Sequence, residues 1–174
     1  MHKFFAILFI VILINTVTAE ETKYILHDKC INALYEPAII YFKDSEIAVH
    51  RDSRGILLRF ELRNPEKEYA ELTEKTLQNL FKIEKFLAKN KNLAIIETHT
   101  VGFGSKVSGL KNWEVSAVIA GNLEKALKYK NNLLNSRIHS VGYGEFLPEN
   151  NTSNNGGKLL NRVDIIILCN IGGE

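Results

Sequence analysis

From residue 55 to residue 169 the hydrophobic period of the chain switches from two to 3.6 and back again, twice over. "GILLRFEL" (55–62) alternates, with Ile56, Leu58, Phe60 and Leu62 on one side and Leu57, Arg59 and Glu61 on the other. That pattern predicts a strand with one buried face. Asn64-Pro65 ends it, and Pro65-Glu66 can open a helix, because proline at the first helical position forfeits no hydrogen bond. Tyr69, Leu72, Thr76, Leu80, Ile83 and Leu87 then recur at helical spacing among Glu and Lys, which predicts one helix over 66–89. "LAIIETHT" (93–100) has the apolar density of a buried strand. After a loop over 101–111 with Gly102, Gly104 and Gly109, Asn112 is the expected N-cap of a second helix, with Glu114 suited to its first turn. Val115, Val118, Ile119, Leu123, Ala126 and Leu127 form its apolar face; Lys125, Lys128 and Lys130 suit its C-terminal end. "RIHSVGYG" (137–144) predicts a third strand and turn, "PENNTSNNGG" (148–157) a polar loop, and "RVDIIIL" (162–168) the last strand. The order β-α-β-α-β-β predicts a two-layer α/β (α+β) sandwich, with two main helices on one face of a mixed sheet.

The rest of the chain divides around this unit. Met1-His2-Lys3, the apolar run Phe4 to Ile14 and the small residues Thr16 to Ala19 follow the order of a secretory signal peptide, cleaved before Glu20. The run is shorter than the roughly 20 apolar residues of a membrane span, and a retained, uncleaved anchor is the alternative. Residues 20–54 read as an N-terminal extension: Ala38–Phe42 and Ile47–His50 look like short strands around the polar turn 43–46. Residues 55–174 are the domain proper. At 45% hydrophobic and 24% charged residues the chain can bury a core, and a net charge of +2 gives no reason to expect a nucleic-acid partner. Two cysteines remain, Cys30 and Cys169; in an exported chain they can form one disulfide tying the extension to the last strand, or stay as two buried thiols.

Enzymatic and metal chemistry find little support. His99 and His139 lie near the ends of two strands, but no close His/Cys cluster supplies the three or four ligands a metal site needs. Ser105, Ser108 and Ser116 are near His99 in sequence without a Gly-x-Ser-x-Gly elbow, and Gly102-Phe103-Gly104-Ser105 lacks the Gly-Lys-Ser/Thr ending of a phosphate loop. The expectation is a non-enzyme with no cofactor. Trp113 can either stack on a sugar or partner, or pack at the helix start.

Four segments resemble the OmpA-like domain family, in the family's order, over about residues 55–169. "IETHTV" resembles its strand ending in Gly-His-Thr-Asp. "NWEVSAVIA" resembles its Asn-x-x-Leu-Ser-x-x-Arg-Ala helix start, closest to the MotB branch. "SVGYGEFLPENN" resembles Gly-x-Gly-Glu-x-x-Pro-x-x-Asn, and "LNRVDIII" resembles the closing Asn-Arg-Arg-Val-Glu strand. The resemblance implies a periplasmic module that binds peptidoglycan without covalent chemistry, gripping the zwitterionic diaminopimelate of the stem peptide with an Asp and an Arg. A carboxylate would pair with the ammonium and a guanidinium would fork onto the carboxylate. Carried over, Thr98, His99 and Thr100 fall on the strand motif, Asn112 and Ser116 on the helix motif, and Arg162 on the last Arg before the closing strand. The Asp falls on Val101 and the Arg on Ile119. No Asp lies between Asp52 and Asp164, and no Arg between Arg63 and Arg137. Thr98, Thr100, Val101, Asn112, Ser116, Ile119 and Arg162 are thus the expected lining of a degenerate pocket, with Lys106 or Lys111 as substitute bases. The expected partners are envelope proteins of a larger assembly or, in the alternative reading of a rewired pocket, the stem peptide, with membrane association only through partners or an uncleaved leader.

Overall fold

A computed structural model describes residues 2–102, 109–131, 134–146 and 161–169, with the backbone alone for 2–19 and for 130. The expected loop over 148–157, Lys106, Ser105 and Ser108 lie outside the described residues. Helix α1 spans His2–Phe42; strands β1 (Ala48–Asp52) and β2 (Gly55–Glu61) form a hairpin. Helices α2 (Pro65–Ala70) and α3 (Glu74–Ala88) lead to β3 (Ala94–His99), then α4 (Asn112–Lys130), β4 (Ile138–Gly142) and β5 (Arg162–Leu168). The strand order is β1-β2-β5-β3-β4; β3 and β4 are parallel and the other pairs antiparallel. This is the expected mixed-sheet α/β architecture.

Its core follows the alternation. Ile56, Leu58 and Phe60 of β2, Val163, Ile165 and Ile167 of β5, and Ala94 and Ile96 of β3 all join one buried cluster. Leu80, Ile83, Phe86 and Leu87 of α3 and Val115, Ile119, Leu123 and Leu127 of α4 close it from the helical side. Antiparallel partners share a face, so Arg59, Asp164, Glu97, His99 and Arg162 stand on the opposite face.

Three expectations are corrected. Ala38–Phe42 is not a strand but the end of α1. Its β-branched and aromatic residues suggest a strand, but Ile31, Leu34, Ala38 and Phe42 recur at helical spacing and are the ones buried, with Phe42 against Phe86. The hairpin is instead β1–β2, closed at Ser53-Arg54, where Asp52 accepts from the Arg54 N–H at 2.9 Å. The boundary drawn at 54/55 therefore falls inside one hairpin. The helix expected over 66–89 is two helices. Thr73 interrupts it: its side chain caps α3 by accepting from the Thr76 N–H, and its own N–H and hydroxyl donate to the buried Glu68 carboxylate at 2.9 and 2.6 Å. Finally, Lys111 and not Asn112 is the N-cap of α4; the Lys111 N–H donates to Glu114 Oε2 at 2.7 Å.

Helix α1 runs unbroken through residues 19 and 20. Among the described residues no helix is long and apolar enough to cross a membrane. Cys30, in α1, and Cys169, just after β5, are joined by a disulfide.

Candidate functional site

Thr98 sits on the helical side of β3 and locks that strand to α4. Its hydroxyl donates to the Ser116 carbonyl at 2.7 Å, and the Ser116 hydroxyl donates to the Thr98 carbonyl at 2.6 Å. Both residues are buried, so this reciprocal pair satisfies polar groups that would otherwise be costly inside the core. One turn nearer the helix start, the Thr100 hydroxyl donates to the Asn112 carbonyl at 2.9 Å. The end of β4 is drawn equally close. A Cβ on Gly142 would lie 2.1 Å from the Ala117 nitrogen, and one on Gly144, at φ +57°, would lie 2.6 Å from the Trp113 nitrogen. The Gly-Tyr-Gly spacing thus lets the strand end pass against the helix start.

An open pocket of about 560 Å³ lies beside this junction, lined by Gly102, Gly109, Leu110, Lys111, Asn112, Trp113, Glu145 and Phe146. The Asn112 side-chain amide donates to Glu145 Oε2. Of the residues predicted for a pocket, Asn112 lines it, together with Lys111, one of the two expected substitute bases. Thr98 and Ser116 are spent on each other. Val101, half-buried, donates its N–H to Asn161 Oδ1 at 2.7 Å. Ile119 is 0% exposed and belongs to the core.

Arg162 is on the other side of the sheet, in a buried charged cluster. Asp164 receives a two-pronged grip from Arg59, Nε to Oδ1 at 2.6 Å and Nη2 to Oδ2 at 2.8 Å, and a third bond from Arg162 Nε at 3.1 Å. The neighbouring Glu97 accepts from Arg54 Nη1 at 2.7 Å. His99 is 3% exposed and stacks on Tyr143; its Nε2 lies 3.7 Å from Asp164 Oδ2, too far for a hydrogen bond. Among the described residues neither ring nitrogen of His99 makes a hydrogen bond, and no trio of His, Cys, Asp or Glu could hold a metal ion.

No protein-family model matches the sequence, and no curated protein does. Solved structures do match. A MotB-like protein from Desulfovibrio vulgaris superposes with a TM-score of 0.67 at 21% identity, over 84% of this chain and 98% of that one. The periplasmic domain of Helicobacter pylori MotB gives 0.59 at 15%, over 72% and 80%. The cell wall anchor of the type VI secretion system from Pseudomonas aeruginosa gives 0.59 at 16%, over 76% and 96%. The fold is that of the MotB periplasmic domain. At these identities the likeness is one of fold.

On this MotB-type scaffold, sequence reading missed Glu145 and Phe146 as pocket residues and Arg59 and Asp164 as partners of Arg162. The Gly-Tyr-Gly-Glu segment was the available signal for the first pair, since close glycines mark a backbone approach. Nothing local could signal the second.

The buried His99 makes stability depend on pH. Burial, and next the positive charge of Arg162, lower its pKa to about 4 from 6.5. Above pH 6.5 the imidazole is neutral in both folded and unfolded chains. As the pH falls the unfolded chain takes up the proton first, so stability is lost through the window from 6.5 to 4. Urea denaturation of the wild type and His99→Gln should show the wild type losing about 2–3 kcal/mol more between neutral pH and about pH 4.5. Equal losses would show that His99 is not the titrating group.

Proposed function

We propose that this protein is a non-enzymatic scaffold of the bacterial cell envelope: an exported OmpA-like module that holds part of a larger assembly and lacks the charge clamp for diaminopimelate. Ile119 carries the reading. Where the resemblance implies a guanidinium, this chain has an aliphatic side chain enclosed by the core. Where it implies a carboxylate, it has Val101. Each missing charge-assisted bond is worth about 1.5–3 kcal/mol, so losing two removes roughly two to four powers of ten in affinity. Export is supported by the basic, apolar and small-residue order of residues 1–19, and by a disulfide, which persists in oxidising compartments. The similar folds of a periplasmic domain and of a cell wall anchor support an envelope location.

One observation favours a second reading, true peptidoglycan binding through a rewired pocket. Lys111 and Glu145, of opposite charge, line the same cleft. Calorimetric titration with a diaminopimelate-containing stem peptide decides between them. We expect no saturable binding below about 1 mM; a Kd in the low micromolar range would overturn the scaffold reading in favour of the second.

A further inference from the structure

We propose that the groove between α3 and α4 is a docking site for an amphipathic helix of a partner protein, apolar along one face and carrying Lys or Arg near both ends. The inference rests on the scaffold reading above and names the chemistry of the scaffold's partner.

Helix α3 carries apolar side chains on two faces. Leu80, Ile83 and Leu87 turn into the core, whereas Leu77 and Phe81, one turn apart, are 45% and 46% exposed. The core accounts for the first face only. On α4, Tyr129 is 86% exposed, two positions from the buried Leu127. Leu77, Phe81 and Tyr129 line one open groove of about 370 Å³, a size usual for binding clefts. Single apolar side chains on a surface need no explanation, but several gathered at one groove mark a contact.

Charge selects the occupant. Glu74 and Glu84 line the same groove, one on either side of Leu77 and Phe81 along α3. They stand ten positions apart, or about 15 Å along the helix axis. Each is met by a neutral amide: Gln78 Nε2 donates to Glu74 Oε1 at 3.3 Å, and Asn131 Nδ2 donates to Glu84 Oε1 at 2.8 Å. Among the described residues neither carboxylate is paired with a basic side chain, and no basic side chain lines the groove. Lys85, outside the lining, holds its ammonium 4.0 Å from the centroid of the Phe81 ring and steadies it. An apolar stretch with an acid at either end fits a helix of the reverse arrangement, apolar in the middle and basic at both ends. Roughly three turns of such a helix span the distance between the two acids. A groove between two helices receives a third by ridges packing into grooves and offers an extended strand no backbone edge. The same acids repel an anionic lipid surface.

The probe is a fluorescein-labelled peptide of about 14 residues, with leucines on one helical face and lysines near both ends, titrated with the full chain and followed by anisotropy. We expect saturable binding with a Kd at or below about 100 μM that weakens as salt is raised. The same peptide with glutamates in place of the lysines should bind at least about tenfold more weakly. Glu74→Gln with Glu84→Gln keeps both hydrogen-bond acceptors and should erase that preference. Phe81→Ser should weaken the basic peptide about tenfold or more, with the thermal midpoint as a check on folding. No saturable binding up to about 1 mM would overturn the inference, as would equal binding of the two peptides, or binding that both sets of substitutions leave untouched. Self-association of the chain alone in sedimentation, abolished by Phe81→Ser, would assign the groove to a second copy and overturn it too. The stem-peptide titration fails independently: tight stem-peptide binding defeats the scaffold reading, whereas silence towards the helical probe defeats only the docking site.

Discussion

Reducing the Cys30–Cys169 bond is expected to cost up to about 5 kcal/mol of stability. The bond joins residues 139 positions apart, and the chain-entropy argument gives about that value for so long a closure. The loss is large against the roughly 5–15 kcal/mol that holds a typical domain folded. It should not be total, because α1 keeps its own packing. Ile31, Leu34, Ala38 and Phe42 are in the core, and the Asn92 amide still donates to the Leu168 carbonyl at 2.8 Å beside the bond. Urea denaturation with and without reductant, repeated on Cys30→Ala/Cys169→Ala, measures the difference. A change below about 1 kcal/mol would mean that packing alone holds α1 in place.

Replacing Asp164 by alanine is expected to cost about 3–5 kcal/mol. The substitution removes the carboxylate that Arg59 and Arg162 share, and leaves two guanidinium groups close together on a largely buried part of the sheet. Most of the loss is the penalty for stranding charge, not the worth of the ion pairs themselves. Arg59→Met in the Asp164→Ala background should therefore recover part of it, which a cycle of single and double variants measures. If Asp164→Ala costs less than about 1 kcal/mol, the cluster is far more hydrated than its burial indicates.

The fold was largely legible because periodicity is a local property. Ile56, Leu58, Phe60 and Leu62 announce a buried face by alternation alone, and all four are buried. The misreadings fall where a local signal was ambiguous or outvoted. Ala38–Phe42 has strand-like residues, yet its burial follows helical spacing set by contact with α3. The break at Thr73 depends on Glu68, whose carboxylate gathers the N–H and hydroxyl of Thr73 and the hydroxyl of Thr76. The site was less legible. Thr98, Ser116 and Arg162 carry motif positions, but residues adjacent in a motif can face opposite sides of a sheet. Thr98 and Ser116 seal the helix to the strand, while Arg162 joins Asp164 on the far face. The cleft falls instead to Lys111, Asn112, Trp113, Glu145 and Phe146, drawn from two segments that only glycine-mediated contact brings together.

What the sequence determined by itself was the alternation of strands and helices and the side of each element that must leave water, because both follow from the spacing of neighbours along the chain. Only the tertiary structure decided that β5 inserts between β2 and β3, and so that Arg59 meets Asp164 across 105 positions. Such pairings arise from long-range strand order and close backbone approach, which no local pattern of side chains encodes.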